Sequence, residues 1–185
     1  MDLVGILERE TLHFKINKMA DLQKFVESLL EAEFEEFYPL SGGASADIYN
    51  ITLKNGKRFV LRKTPENSES RLAITKKIEA KVQKIVKKND IPVPLIIKEF
   101  DESSGVGSGY VMEFILGETI PRKILRDEKF AQIRPNLTYR IGEILAKIHR
   151  TDLSEIKELE KMTFHDSLNK LYEVYSSFNL SLIHI

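Results

Sequence analysis

Apolar residues recur at helical spacing at Leu22, Phe25, Val26, Leu29, Leu30 and Phe34 with acidic side chains opposite, which predicts an amphipathic helix from Asp21 that has ended by Pro39. After Gly43 the period drops to two. Ile48, Asn50 and Thr52 share one face of a strand and Tyr49, Ile51 and Leu53 the other; Asn55-Gly56 suits a type I′ turn, and Arg58–Lys63 reads as the return strand. Ser68 to Ser70 offer caps for a second helix, whose stripe is Ile74, Ile78, Val82, Ile85 and Val86. Asn89-Asp90 and the prolines Pro92 and Pro94 stop it.

Two further strands, Leu95–Phe100 and Tyr110–Ile115, flank the loop DESSGVGSG, and Gly117 is expected to break the second. Beyond Pro135-Asn136, the positions Leu137, Ile141, Ile144, Leu145 and Ile148 predict a helix ending near His149-Arg150. Leu168, Leu171, Tyr172 and Tyr175 predict another over Phe164–Ser176. Residues 1–20 form an extension that no pattern assigns. The order predicts an α+β chain, strand-rich over 21–115 and helical over 116–185. The two parts meet near Leu116-Gly117, the kind of junction where ligands bind.

Length and composition narrow the possibilities. A chain of 185 residues is about one domain, and its 28 basic and 28 acidic residues cancel, so no net field draws it to nucleic acid or to an anionic membrane. Any phosphate site must be local. The absence of cysteine excludes disulfides, thiolate metal sites and a cysteine nucleophile, and the four histidines lack ligand spacing. No metal held by protein side chains is expected. The N-terminus has acidic residues where a signal peptide needs basic ones, and no apolar run is long enough to span a bilayer, so a cytoplasmic location is expected.

Several positions could carry chemistry. Gly42 and Gly43 let a backbone approach a phosphate and present its N–H groups, although a Gly-Gly before a strand is also an ordinary tight turn. Arg62 lies on the same strand face as Val60, where its charge could reach a phosphate, and Lys63, on the other face, reads as a solvated charge. Glu79 lies beside the Val82/Val86 edge of the helical stripe and calls for a cation there. Arg62 is one candidate; Lys76, one turn back on an exposed helix face, is the other. The run from Tyr110 to Gly117 could offer main-chain groups to a planar base or be plain strand core. His149 reads as a packed or helix-capping residue.

Together, "LSGGASADIYNI", "FVLRKTP", Glu79 in "KKIEAKVQKI", "IPVPLII", "GYVMEFILGETI" and "LAKIHRTDL" resemble the N-terminal part of the aminoglycoside phosphotransferase and choline-kinase-like family. The similarity spans roughly residues 22–176 and rests on the order and spacing of these stretches. It implies a protein-kinase-like N-lobe, an antiparallel sheet plus a helix C, followed by the first helices of a truncated helical C-lobe. It also implies ATP as the nucleotide, a small-molecule hydroxyl as acceptor of the γ-phosphate, and Mg²⁺ in a complete parent protein.

By position, the resemblance makes Ser41, Gly42, Gly43, Ala44 and Ser45 the loop over the nucleotide phosphates. Arg62 stands where the family's kinases usually have the lysine that contacts the α/β-phosphates; its planar fork can hold both phosphate and carboxylate. Glu79 becomes its helix partner, Met112 the back of the pocket, and Glu113, Phe114 and Ile115 the hinge whose main chain binds adenine.

The family's catalytic loop, His-Gly-Asp with an Asn five residues after the Asp, and its later metal-binding Asp are not found in this sequence. His165-Asp166 with Asn169 lacks the glycine and the spacing, so no catalytic or metal-ligating residue is assigned. The expectation is an ATP-binding part of a small-molecule phosphotransferase that does not turn over alone, with the ending "SSFNLSLIHI" read as a truncated frame. The alternatives are a catalytically dead module that binds nucleotide or a partner, and a gene remnant.

Overall fold

The computed structural model describes residues 18–40, 46–65, 74–159 and 162–177. They divide into two compact units, one ending at Leu153 and the other beginning at Ser154.

In the first unit, helix α1 covers residues 18–30 and buries Leu22 and Val26 in a core with Phe34, Ile51, Leu53, Leu61 and Val111. Each such side chain taken from water contributes about 1.5–3 kcal/mol. The helix stops before Phe34, contrary to the run of helical spacing. Glu31 turns to a φ of 53°, and the Ala32 N–H bonds back to the Glu27 carbonyl at 3.1 Å. The Glu27 carboxylate then accepts the Phe34 N–H at 3.0 Å, and Phe34–Pro39 becomes strand β1. Phe34 fits either pattern because strand and helix place it against the same core.

Strands β2 (Asp47–Leu53), β3 (Arg58–Lys63), β4 (Ile96–Phe100) and β5 (Gly109–Glu113) complete an antiparallel sheet in the order β1-β2-β3-β5-β4. Ser41–Ser45 joins β1 to β2 and lies outside the described residues. The β2–β3 connection is not the two-residue type I′ turn. Only Gly56 has a positive φ, 79°, while the Gly56 N–H reaches the Leu53 carbonyl and the Leu53 N–H reaches that of Lys57, each at 2.8 Å. This is a three-residue connection with glycine at the bulge, set by the Thr52 to Arg58 register.

Helix α2 (Lys76–Lys88) packs on β4 and β5. The expected caps at Ser68–Ser70 lie outside the described residues; Thr75 caps the helix, its hydroxyl accepting the Ile78 N–H at 3.3 Å. Strand β5 ends at Glu113, before Gly117 is reached, because its neighbour β3 begins at Arg58 and pairing runs out. Gly109 lets β3 and β5 approach closely. A Cβ there would lie 2.6 Å from both the Arg62 carbonyl and the Phe100 ring.

Two helices follow in the same unit: the short α3 (Pro121–Arg126), which the hydrophobic pattern does not announce, and α4 (Arg134–Arg150), with Pro135 in its first turn. His149 lies in the last turn of α4 with Lys147 and Arg150, where positive charge suits the helix dipole. The second unit contains α5 (Phe164–Ser177). Among the described residues, no helix is long and apolar enough to cross a membrane.

Candidate functional site

Strand β3 is central, paired with β2 on one side and β5 on the other, so Arg62 stands opposite both Ile48 and Tyr110. Alternation along the strand turns Arg62, Val60 and Arg58 to one face and Leu61 and Lys63 to the other. Glu79 lies in the first turn of α2, where a carboxylate suits the helix dipole and its N–H bonds the Thr75 carbonyl at 2.9 Å.

The Glu79 carboxylate gathers donors from three elements of sequence. Its Oε2 accepts from Arg62 Nε at 3.0 Å and from the Tyr110 hydroxyl at 3.2 Å, and its Oε1 accepts from Lys76 Nζ at 2.8 Å. Arg62 and Lys76 therefore bind it together; the two partners weighed separately from the sequence are not alternatives. Lys76 is not on an exposed face either. Its side chain is only 4% exposed, because a carboxylate this close lets an ammonium leave bulk water.

The electrostatics follow from these contacts. Burial pushes the Glu79 carboxyl up, but the hydrogen bonds and charges of Arg62 and Lys76 outweigh it and hold the group below its ordinary value. Burial works against the Arg62 cation, yet the bond to Glu79 raises its value. The Tyr110 phenol is pushed up to about 12, first by burial and then by the neighbouring Glu79 charge.

Lys63 corrects the expectation of a solvated charge. It is 5% exposed, on the core face, with its ammonium 3.7 Å from an Asp47 oxygen. Its aliphatic stem lies under the loop before β5, 3.8 Å from where a Cβ on Gly107 would be.

Met112 shares the face of Tyr110, two residues further along β5. Gln83 of α2 reaches over it, 3.9 Å from its sulfur, while bonding the Pro94 carbonyl at 2.7 Å. The Glu113 carboxylate accepts the Leu95 N–H at 2.8 Å and its own N–H bonds the Leu95 carbonyl at 2.9 Å. The Phe114 N–H is taken by the Arg58 carbonyl at 3.4 Å. Ile115 follows and is 54% exposed.

Arg62 and Glu79 are thus in contact, Met112 is linked to α2 through Gln83, and Glu113–Ile115 form the end of β5 and the exit from the sheet. Ser41–Ser45 lie outside the described residues. Tyr110, Gln83 and Asn50 belong to the site's surroundings and carry only a faint signal in the sequence: Asn50 and Tyr110 are polar groups beside apolar strand residues, and Gln83 stands between Val82 and Lys84 on a lysine-rich helix.

Asp166, set aside as a catalytic residue, has a structural task. Its carboxylate accepts the N–H and hydroxyl of Thr163 at 2.8 and 2.7 Å, and the Thr163 hydroxyl accepts the Asp166 N–H at 3.2 Å. This reciprocal pair is a capping box at the start of α5.

Residues 36–172 match the sequence model of the phosphotransferase enzyme family, from within β1 into α5. No curated protein matches the chain. The match covers most of the sequence, and the chain belongs to that family. Its five-stranded antiparallel sheet with α2 against it is an α+β arrangement of the kinase-like N-lobe kind, followed by a short helical part.

Proposed function

We propose that this member of the phosphotransferase enzyme family holds ATP against the Arg62 face of its sheet, residues 21–115 forming the nucleotide-binding part and 116–185 the exit and helical part. The observation that carries this reading is the Arg62–Glu79 pair, 3.0 Å apart and braced by Tyr110. Arg62 would contact the α/β-phosphates while Glu79 fixes its direction, so that the cation meets the polyphosphate in a set orientation. Ser41, Gly42, Gly43, Ala44 and Ser45, at the β1–β2 connection, would cover the phosphates. Met112 would lie behind the base.

We narrow the hinge assignment to particular main-chain groups. With the N–H groups of Glu113 and Phe114 engaged by Leu95 and Arg58, the Glu113 carbonyl and the main chain of Ile115 are the groups we assign to adenine.

ATP's γ-phosphate would pass to the hydroxyl of a small acceptor. Among the described residues, no three acidic or imidazole side chains converge as metal ligands. We route no step through Mg²⁺. Since Asp166 is engaged as a helix cap, we also assign no residue here to accept the acceptor's proton. The expected behaviour of the chain alone is nucleotide binding without turnover.

Amide hydrogen exchange with and without ATP tests this. Protection is expected at Gly42–Ser45 and Arg62 at saturating nucleotide, lost in Arg62→Ala. Unchanged exchange with ATP, together with no heat of binding, would sink the reading.

A further inference from the structure

Asn50 stands in the middle of an apolar strand and is wholly buried. A buried amide needs partners at both ends. Its Oδ1 accepts from Arg58 Nη2 at 3.0 Å and its Nδ2 donates to the Thr52 hydroxyl at 3.2 Å, which in turn donates to Glu36 of β1 at 3.1 Å. Held in this way, Arg58 lies with its guanidinium carbon 3.7 Å from the centre of the Phe114 ring, and its carbonyl accepts the Phe114 N–H at 3.4 Å.

Phe114 is the first residue beyond β5, and from it to Ile120 the chain has no regular structure. A polar relay crossing β1, β2 and β3 therefore ends on the segment that leaves the sheet. We propose that Arg58 is a positioning residue for that segment. It grips Phe114 by ring and by main chain, so that the groups of Ile115 are presented at a fixed place beside the sheet.

Arginine suits this task because a planar guanidinium can lie on the ring and donate in its own plane to Asn50; a lysine ammonium cannot do both. Asn50, Thr52, Arg58 and Arg62 share one sheet face by alternation, with Arg58 and Arg62 toward opposite ends of β3. The use of the clamp, presetting the main chain for a base, rests on the nucleotide reading above. The clamp itself does not.

The test is amide exchange in the full chain, combined with titration of ATP and of inorganic tripolyphosphate. Arg58→Lys is expected to speed exchange at Phe114 and Ile115 about two- to five-fold, the range an exposed cation–π contact supplies, and to leave Val111 unchanged. Phe114→Leu should match it and Phe114→Tyr should restore protection. ATP affinity should fall about two- to five-fold in Arg58→Lys, while tripolyphosphate affinity holds. Unchanged exchange at Phe114 and Ile115 in both Arg58→Lys and Phe114→Leu overturns the clamp, whether or not ATP binds. Faster exchange in a chain that binds neither probe keeps the clamp and removes the nucleotide reading. Faster exchange with undiminished ATP affinity overturns its part in base binding.

Discussion

Tyr110 and Arg62 face each other across the β3–β5 pairing and donate to the same oxygen of Glu79, from 3.2 and 3.0 Å. One acceptor atom thereby ties two strands to α2, and the direction of Arg62 cannot change without disturbing the helix. Lys76, bound to the other oxygen at 2.8 Å, completes the carboxylate's set of donors.

Glu79→Gln keeps the shape and removes the charge that three donors share. Solvent reaches part of the cluster and screens it, so the expected loss is about 1–2 kcal/mol. Urea unfolding measures it, and a variant as stable as the parent would show that the cluster does not stabilise the fold.

The pH dependence has a definite sign. The folded Glu79 carboxyl lies below its ordinary value of 4.5, so its contribution is fully present above that value and is lost as pH falls through the folded one. Melting profiles through the acid range should show the parent losing stability toward Glu79→Gln. Parallel profiles would contradict the assignment.

Tyr110 supplies an alkaline counterpart. Its value is raised from 10.0 to about 12, so the neutral phenol contributes stability below the ordinary value, and that stability is lost as pH rises through the folded one. Tyrosine-labelled NMR titration should find the Tyr110 ring ionising late, and earlier in Glu79→Gln. A Tyr110 signal titrating at its ordinary value would rule out the burial and contacts described.

Gly109→Ala places a methyl 2.6 Å from the Arg62 carbonyl. Two paired strands must then separate, at a cost of about 1–3 kcal/mol. Thermal unfolding should fall accordingly, with faster amide exchange centred on Arg62 and Lys63; an unperturbed melt would mean that β3 and β5 are not so closely apposed.

Asp166→Ala removes half of the capping box and should cost α5 about 1 kcal/mol. Exchange over Phe164–Ser177 should quicken while ATP affinity stays put. Loss of ATP affinity instead would give Asp166 a role at the nucleotide.

Much was legible in the sequence because it was periodic. Helix α2, the β2–β3 pair and the strands flanking DESSGVGSG were all readable, since apolar positions at a period of 3.6 or two mark helix and strand, although the side chains α2 buries fully are Lys76 and Ala80 rather than its apolar stripe. Glu79 beside an apolar stripe announced a cation in the same way. Where local patterns were compatible with two answers, they misled. Phe34 continued a helical spacing but belongs to β1, and Asn55-Gly56 satisfied one turn type while the register demanded another.

What the sequence determined by itself was the α+β order, the family and the need of Glu79 for a cation, because each is encoded in residue type and spacing. Tertiary structure alone decided that Lys76 joins Arg62 on Glu79, that Tyr110 shares their acceptor, that Lys63 is buried and that a relay from Asn50 ends on Phe114. The Arg62–Glu79, Tyr110–Glu79 and Arg58–Phe114 contacts join residues far apart in the chain. Their energies depend on distance and burial, quantities that exist only once β3, β5 and α2 have come together.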